Sequence, residues 1–177
     1  KNINRRTRTK NCAKPKDGKL KIMYANANGI TGKMQSLSEA AKTHNSHVIT
    51  ITETKTKGEP PRLEGYHWIS KNRKEKQGGG VAIAIRTDME KHVTRVDSLE
   101  DQDQEILWIE VMAGQNRTYI GTYYGPQEIA RIEENKKEYS QITTQILRLK
   151  KKGEVILTGD FNAKLAINKQ HHKQTQS

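Results

Sequence analysis

Residues 78–86 read Gly-Gly-Gly-Val-Ala-Ile-Ala-Ile-Arg. From Val81 to Ile85 large residues alternate with small ones and no charge interrupts the run. Successive strand side chains point to opposite faces, so this pattern predicts a strand packed on both faces. Just upstream, Tyr66 to Ser70 reads as a second strand, joined to the first by the charged turn Lys71 to Gln77. Downstream, Glu105 to Met112 and Thr118 to Tyr124 form another pair around a turn at Gly114 to Asn116. His47 to Glu53 is a further buried strand carrying Val48, Ile49 and Ile51. Lys19 to Ala25 and Glu154 to Thr158 bring the total to about seven. Two stretches keep helical spacing instead. Lys33 to His44 carries Met34, Leu37 and Ala41 on one stripe. Glu128 to Lys152 carries Ile129, Ile132, Tyr139, Ile142, Ile146 and Leu149, and ends in Lys150 to Lys152 before Gly153. Strands outnumber helices and neighbours pair as hairpins. The expected class is therefore mixed α/β (α+β): sheet packed on sheet with helices outside, not a Rossmann alternation.

Composition alone points the other way. Leu, Ile, Val and Phe make up just under a fifth of the 177 residues and the net charge is +12, values typical of disordered chains. Position resolves the conflict. Nearly all of these residues lie between 20 and 163, in short runs, and the two ends are polar. Residues 1–19 hold eight Lys or Arg against one Asp, so most of the excess charge belongs to the start of the chain. The expected organisation is a basic arm over residues 1–18, a domain over 19–165 and a polar tail over 166–177. Such an arm reads either as a polyanion contact or as a solvated linker. Cys12 is the only cysteine, which rules out an internal disulfide and the usual zinc sites. No apolar run approaches 18 residues and no signal-peptide core is present, so the expectation is an intracellular protein without a membrane partner.

Asn26, Glu53, Tyr124, Asp160 and Asn162 share one feature: each stands at or just past the expected C-terminal end of a strand. Side chains there can converge on one rim. Carboxylates, amides and a phenol are suited to holding a hard metal ion and a water against a phosphate, since magnesium takes oxygen ligands. Each residue also has an ordinary explanation as a turn former, a solvated acid or a helix cap. His171-His172 is a poor metal pair, because adjacent residues rarely face one site. Gly78 to Gly80 precedes a strand and not a helix, so it is not a nucleotide-phosphate loop.

Five segments together resemble the endonuclease/exonuclease/phosphatase superfamily, most closely the apurinic-like endonuclease domain of non-LTR retrotransposons. They are Asn26-Ala27-Asn28-Gly29-Ile30, Thr52-Glu53-Thr54-Lys55, Gly78 to Ile83, Tyr124-Gly125-Pro126 and Gly159-Asp160-Phe161-Asn162-Ala163. The resemblance implies an exonuclease III/DNase I-like four-layer α/β/β/α sandwich and a DNA endonuclease that uses Mg2+, or Mn2+. It implies roles as well. Glu53 is the metal-binding carboxylate, with Asn26 beside it. Asp160 orients or deprotonates the attacking water, and Asn162 positions Asp160 and the phosphate. Tyr124 donates to a phosphate oxygen. Asn28, Lys55 and the arm residues Arg5, Arg6 and Arg8 are expected at the DNA, in the nucleus. Asn28 stands where repair members often carry Asp, which favours the mobile-element branch.

The resemblance also calls for later strands and a final Ser-Asp-His motif, and neither follows Asp160 here. The domain is therefore expected to be partial at its C-terminus and weak or inactive as it stands. Two other readings remain open from sequence: a phosphoesterase of the same superfamily with another substrate, and a non-catalytic nucleic-acid-binding remnant.

Overall fold

The computed structural model describes residues 19–73, 78–99, 104–126 and 132–162. In chain order these form β1 (Ile22–Asn26), α1 (Met34–His44), β2 (Val48–Thr52), β3 (Tyr66–Lys71) and β4 (Val81–Arg86). Then come β5 (Val93–Arg95), β6 (Ile106–Ala113), β7 (Asn116–Tyr124), α2 (Ile132–Lys150) and β8 (Glu154–Asp160). Short 3₁₀ turns at Thr31–Lys33, Thr87–His92 and Asp97–Leu99 fill connections.

The strands make two four-stranded sheets, ordered β1-β2-β4-β3 and β5-β6-β7-β8. Hairpin partners β3/β4 and β6/β7 run antiparallel, as do β2/β4 and β5/β6. The pairs β1/β2 and β7/β8 run parallel, because α1 and α2 respectively carry the chain back between their strands.

Burial follows the alternation seen in the sequence. Val81, Ile83 and Ile85 of β4 meet Leu107, Ile109 and Val111 of β6 and Ile120 of β7 between the sheets. Ala84, on the other face, packs with Ile49 and Ile51 of β2 against Leu37 and Ala41 of α1. On the outer face of the second sheet, Ile106, Trp108, Tyr119 and Tyr123 lie with Ile142 and Leu149 of α2. Three apolar layers between four structural layers give the α/β/β/α sandwich. Small Ala side chains let the helix approach, and large β-branched ones fill the wider space between sheets.

Some expectations shift. Strand β5 is new, because three residues are too short to show alternation. The first strand begins at Ile22, three residues later than its pattern implied. The second helix is described from Ile132, so Glu128 to Arg131 lie outside the described residues, as do the arm with Arg5, Arg6 and Arg8, and the tail.

Candidate active site

Parallel neighbours end at the same edge of a sheet, and ligands of α/β sheets gather outside such ends. Here two parallel pairs, one per sheet, finish at one rim. Asn26 closes β1, Glu53 follows β2, Tyr124 closes β7 and Asp160 closes β8. In register, Asn26 stands opposite Thr52 and Tyr124 opposite Asp160.

Asn26 joins the two halves. Its Nδ2 donates to Glu53 Oε1 at 2.9 Å and to Asp160 Oδ2 at 3.1 Å. Its Oδ1 accepts the Asn28 backbone N–H at 3.0 Å, so every polar atom of the side chain is committed. The nitrogen faces the acids. Asn26 is thus beside Glu53, as expected, but holding a metal through its oxygen requires the amide to turn over.

Glu53 also pairs with Lys55 Nζ, 3.2 Å from Oε2, and accepts from the Tyr124 hydroxyl. Burial pushes its carboxyl up. The hydrogen bonds from Asn26, Lys55 and Tyr124 and the Lys55 charge outweigh that and hold it below its ordinary range. The reverse holds at Tyr124, where burial and then the Glu53 charge push the phenol up to about 12. Tyr124 therefore stays a donor at neutral pH. Lys55 also donates to Asn28 Oδ1, so two of the five residues expected at DNA are bonded to each other at the rim.

Asp160 is held from behind. Its Oδ1 accepts the Asn162 backbone N–H at 3.0 Å, and its carbonyl accepts Gly125 N–H at 2.7 Å. The Asn162 side chain turns away and donates to the Gly125 carbonyl at 2.8 Å. Asn162 thus orients Asp160 through its main chain, not its side-chain amide. Gly159 is required beside it: its φ is +150°, and an added Cβ would collide with the Tyr123 carbonyl.

Backbone conformation marks the same place. Among the described residues five non-glycines have positive φ, and four of them are Asn28, Glu53, Lys55 and Asn162; the fifth, Asn45, caps α1. Left-handed Glu and Lys are costly and persist only where their surroundings over-determine them. Around Glu53, Gly29 N–H bonds the Glu53 carbonyl at 2.8 Å. From the other side, Thr54 and Lys55 N–H bond the carbonyls of Gly80 and Gly79 at 3.2 and 2.9 Å. Gly80, at φ +87°, could not carry a Cβ without striking Thr54 Oγ1. The glycine run is therefore a strap that clamps the Glu53 turn, a role its sequence did not reveal. The charged neighbours Arg73 and Glu105 also reach this region and were not singled out by sequence; a carboxylate opening an apolar strand was the available signal.

Two acids linked through one amide, with a carboxyl kept ionised, are oxygen donors of the kind a hard divalent cation takes. Among the described residues no cluster of three or more His, Cys, Asp or Glu exists. Magnesium commonly uses only one or two carboxylates plus substrate and water, so the number of acids at the rim is compatible with it.

Known proteins share this architecture. The endonuclease domain of TRAS1, a telomere-specific non-LTR retrotransposon, superposes with a TM-score of 0.63 at 19% identity, over 83% of this chain and 61% of that one. An AP endonuclease from Leishmania major gives 0.65 at 15% identity, over 80% and 54%. TDP2 of D. rerio, complexed with a single-strand DNA product, gives 0.58 at 17%, over 83% and 62%. The chain thus spans roughly three-fifths of the length of these proteins, and at such identities the likeness establishes the exonuclease III/DNase I-like fold alone. No curated protein sequence matches it. The endonuclease/exonuclease/phosphatase family profile does, over residues 23–168, which take in every residue of the rim and both sheets except Ile22. The chain belongs to the endonuclease/exonuclease/phosphatase family.

Proposed function

We propose that this chain forms part of a divalent-metal-dependent phosphodiesterase domain that nicks DNA, of the kind that serves a non-LTR retrotransposon at its nuclear target. The observation that carries the reading is the Asn26 bridge, which sets Glu53 of one sheet and Asp160 of the other around one amide beside Tyr124. The DNA-linked neighbours TRAS1 and TDP2 and the basic excess of the chain support DNA as the substrate.

A bound magnesium or manganese ion would supply Lewis-acid stabilisation of charge on the phosphodiester oxygens. Glu53 would hold that ion, its charge kept by three donors. Asp160, with one oxygen fixed by the Asn162 main chain, is placed to orient and accept a proton from the attacking water. Tyr124, protonated through neutral pH, would turn its one O–H from Glu53 to a phosphate oxygen where negative charge gathers, the bound ion then holding the Glu53 charge in its place.

The test is relaxation of supercoiled plasmid by the full chain in Mg2+ and in EDTA, beside Glu53→Gln and Asp160→Ala. The reading requires metal-dependent nicking that both substitutions remove. Nicking in EDTA, or at an unchanged rate in either variant, overturns it. No nicking at stoichiometric protein reduces it to DNA binding.

A further inference from the structure

An ion pair beside the site takes no part in the roles above. Glu105 lies immediately before β6, with its side chain 13% exposed, and one of its oxygens pairs with the guanidinium Nη2 of Arg73. Its other oxygen accepts Gly80 N–H at 2.6 Å, and its carbonyl accepts Tyr124 N–H at 2.9 Å. Arg73 Cζ stands 6.0 Å from the centroid of the Tyr124 ring, and its side chain is 31% exposed. An added Cβ at Gly79 would meet both the Arg73 guanidinium and the Glu105 carboxylate, so the glycine keeps the space that the pair fills.

Withdrawing two charges from water is costly, and apolar side chains of similar size often serve stability as well. A staple for the β3–β4 hairpin would not need an arginine at the rim. The guanidinium has five donors in a rigid fork suited to phosphate oxygens, and Glu105 holds only one end of it. Its other neighbour is the phenol that meets Glu53. That places the guanidinium on the Glu105 side of Tyr124, whose register partner on the other side is Asp160.

We propose that Arg73 is a substrate-phosphate contact of this site and that Glu105 is the positioning residue that aims it. The identity of the substrate rests on the phosphodiesterase reading above. The geometry of the pair does not.

The experiment measures binding of a fluorescein-labelled DNA duplex to the full chain by anisotropy across a salt series, without divalent metal. Arg73→Gln is expected to weaken binding about tenfold, the scale of one charge-assisted hydrogen bond, and to reduce the salt slope by about 0.9. Glu105→Gln decides the positioning role by its sign. It keeps an acceptor for Gly80 N–H but discharges the acid. Removing a bystander's negative charge beside a polyanion tightens binding, whereas removing the group that aims Arg73 weakens it. The double variant should bind no better than Arg73→Gln. Recovery to wild-type affinity would show that the single variant suffered only from an exposed Glu105, and would overturn the proposal, as would tighter binding by Glu105→Gln. Melting temperatures of all three variants check the fold. Nicking in Mg2+, read on the same samples, separates the two claims: a wild type that binds but never nicks sinks the enzymatic reading alone, and one that does not bind DNA sinks both.

Discussion

The Asn26 side chain satisfies two acids from different sheets with a single NH2 group, and this concentrates the consequences of changing it. Asn26→Ala leaves Glu53 and Asp160 facing each other without their shared donor, so nicking should fall about a hundredfold or more while the melting temperature moves little. Plasmid relaxation beside a thermal melt reads both. Asp160 and Asn162 should part company. Asp160→Ala removes the acid, whereas Asn162→Ala keeps the backbone N–H that orients it and loses the bond to Gly125 together with the tolerance of Asn for its left-handed φ of +48°. The first should cost at least tenfold more in single-turnover rate than the second. Equal losses would show that the Asn162 side chain itself acts at the phosphate. The pH dependence of stability follows from Glu53. Its carboxyl is held below the ordinary range in the fold, so it contributes stability above the usual unfolded value of about 4.3. That contribution is lost as pH falls through the lower folded value. Glu53→Gln should therefore flatten the decline of the urea midpoint below about pH 4.5, and an unchanged acid limb would mean the three donors do not act on it. The five rim residues were legible from sequence because each follows a strand, and strand ends show in apolar alternation. Their bonding was not. Nothing in a string of letters tells that Asn26 turns nitrogen and not oxygen to the acids, or that Glu53 sits at a left-handed φ.

Between the elements, the inner faces of β2, β7 and β8 carry threonines where an apolar core might be expected. Thr158 Oγ1 lies 2.8 Å from Thr50 Oγ1, across the space between the sheets, and 2.9 Å from the Gly121 carbonyl. Thr122, its register partner on β7, is fully buried with no bond to its hydroxyl. Apolar contacts tolerate sliding, but a hydroxyl bond fixes one sheet against the other only a few residues below Glu53 and Asp160. Valine at these positions preserves shape and removes the hydroxyl, so the two sites should respond with opposite signs. Thr122→Val relieves a buried unpaired hydroxyl and should stabilise by about 1 kcal/mol. Thr158→Val removes the bond across the sheets but leaves Thr50 donating to the Met23 carbonyl at 3.2 Å, so it should destabilise by about 0.5–1 kcal/mol. Urea unfolding of both variants measures this, and an unchanged or raised midpoint for Thr158→Val would mean that the bond across the sheets contributes nothing. The sandwich was readable in outline from runs such as 81–85, whose two apolar faces demand a layer on each side. The parallel pairings were not, because they depend on how α1 and α2 lead the chain back, and helical periodicity carries no such direction. β5 escaped because three residues show no period.

At the scale of the whole molecule, charge is distributed unevenly along the chain. The net charge is +12, and residues 1–19 alone carry eight Lys or Arg against one Asp, while residues 20–163 together carry a net charge of only +2. A basic segment joined to a neutral body acts on a polyanion through counterion release, a contribution that depends on salt and not on sequence. The rim supplies the opposite character: two acids, Glu53 and Asp160, at the place where a phosphodiester would lie. Affinity and chemistry would then reside in different parts, with the arm holding DNA near a site that binds it poorly alone. Deleting residues 1–18 removes seven basic groups and leaves Lys19. If the arm engages phosphates, log affinity against log salt should lose about 0.9 of slope for each contact given up, and binding at low salt should weaken far more than at high salt. The melting temperature should not change, since none of the described residues of the three apolar layers is removed. The deletion should also spare the Arg73→Gln effect, because groups with no shared partner contribute additively. Anisotropy titrations of both forms at several salt concentrations give all of these quantities. Parallel salt plots with and without the arm would make it a linker and leave the domain's own groups to supply the whole affinity.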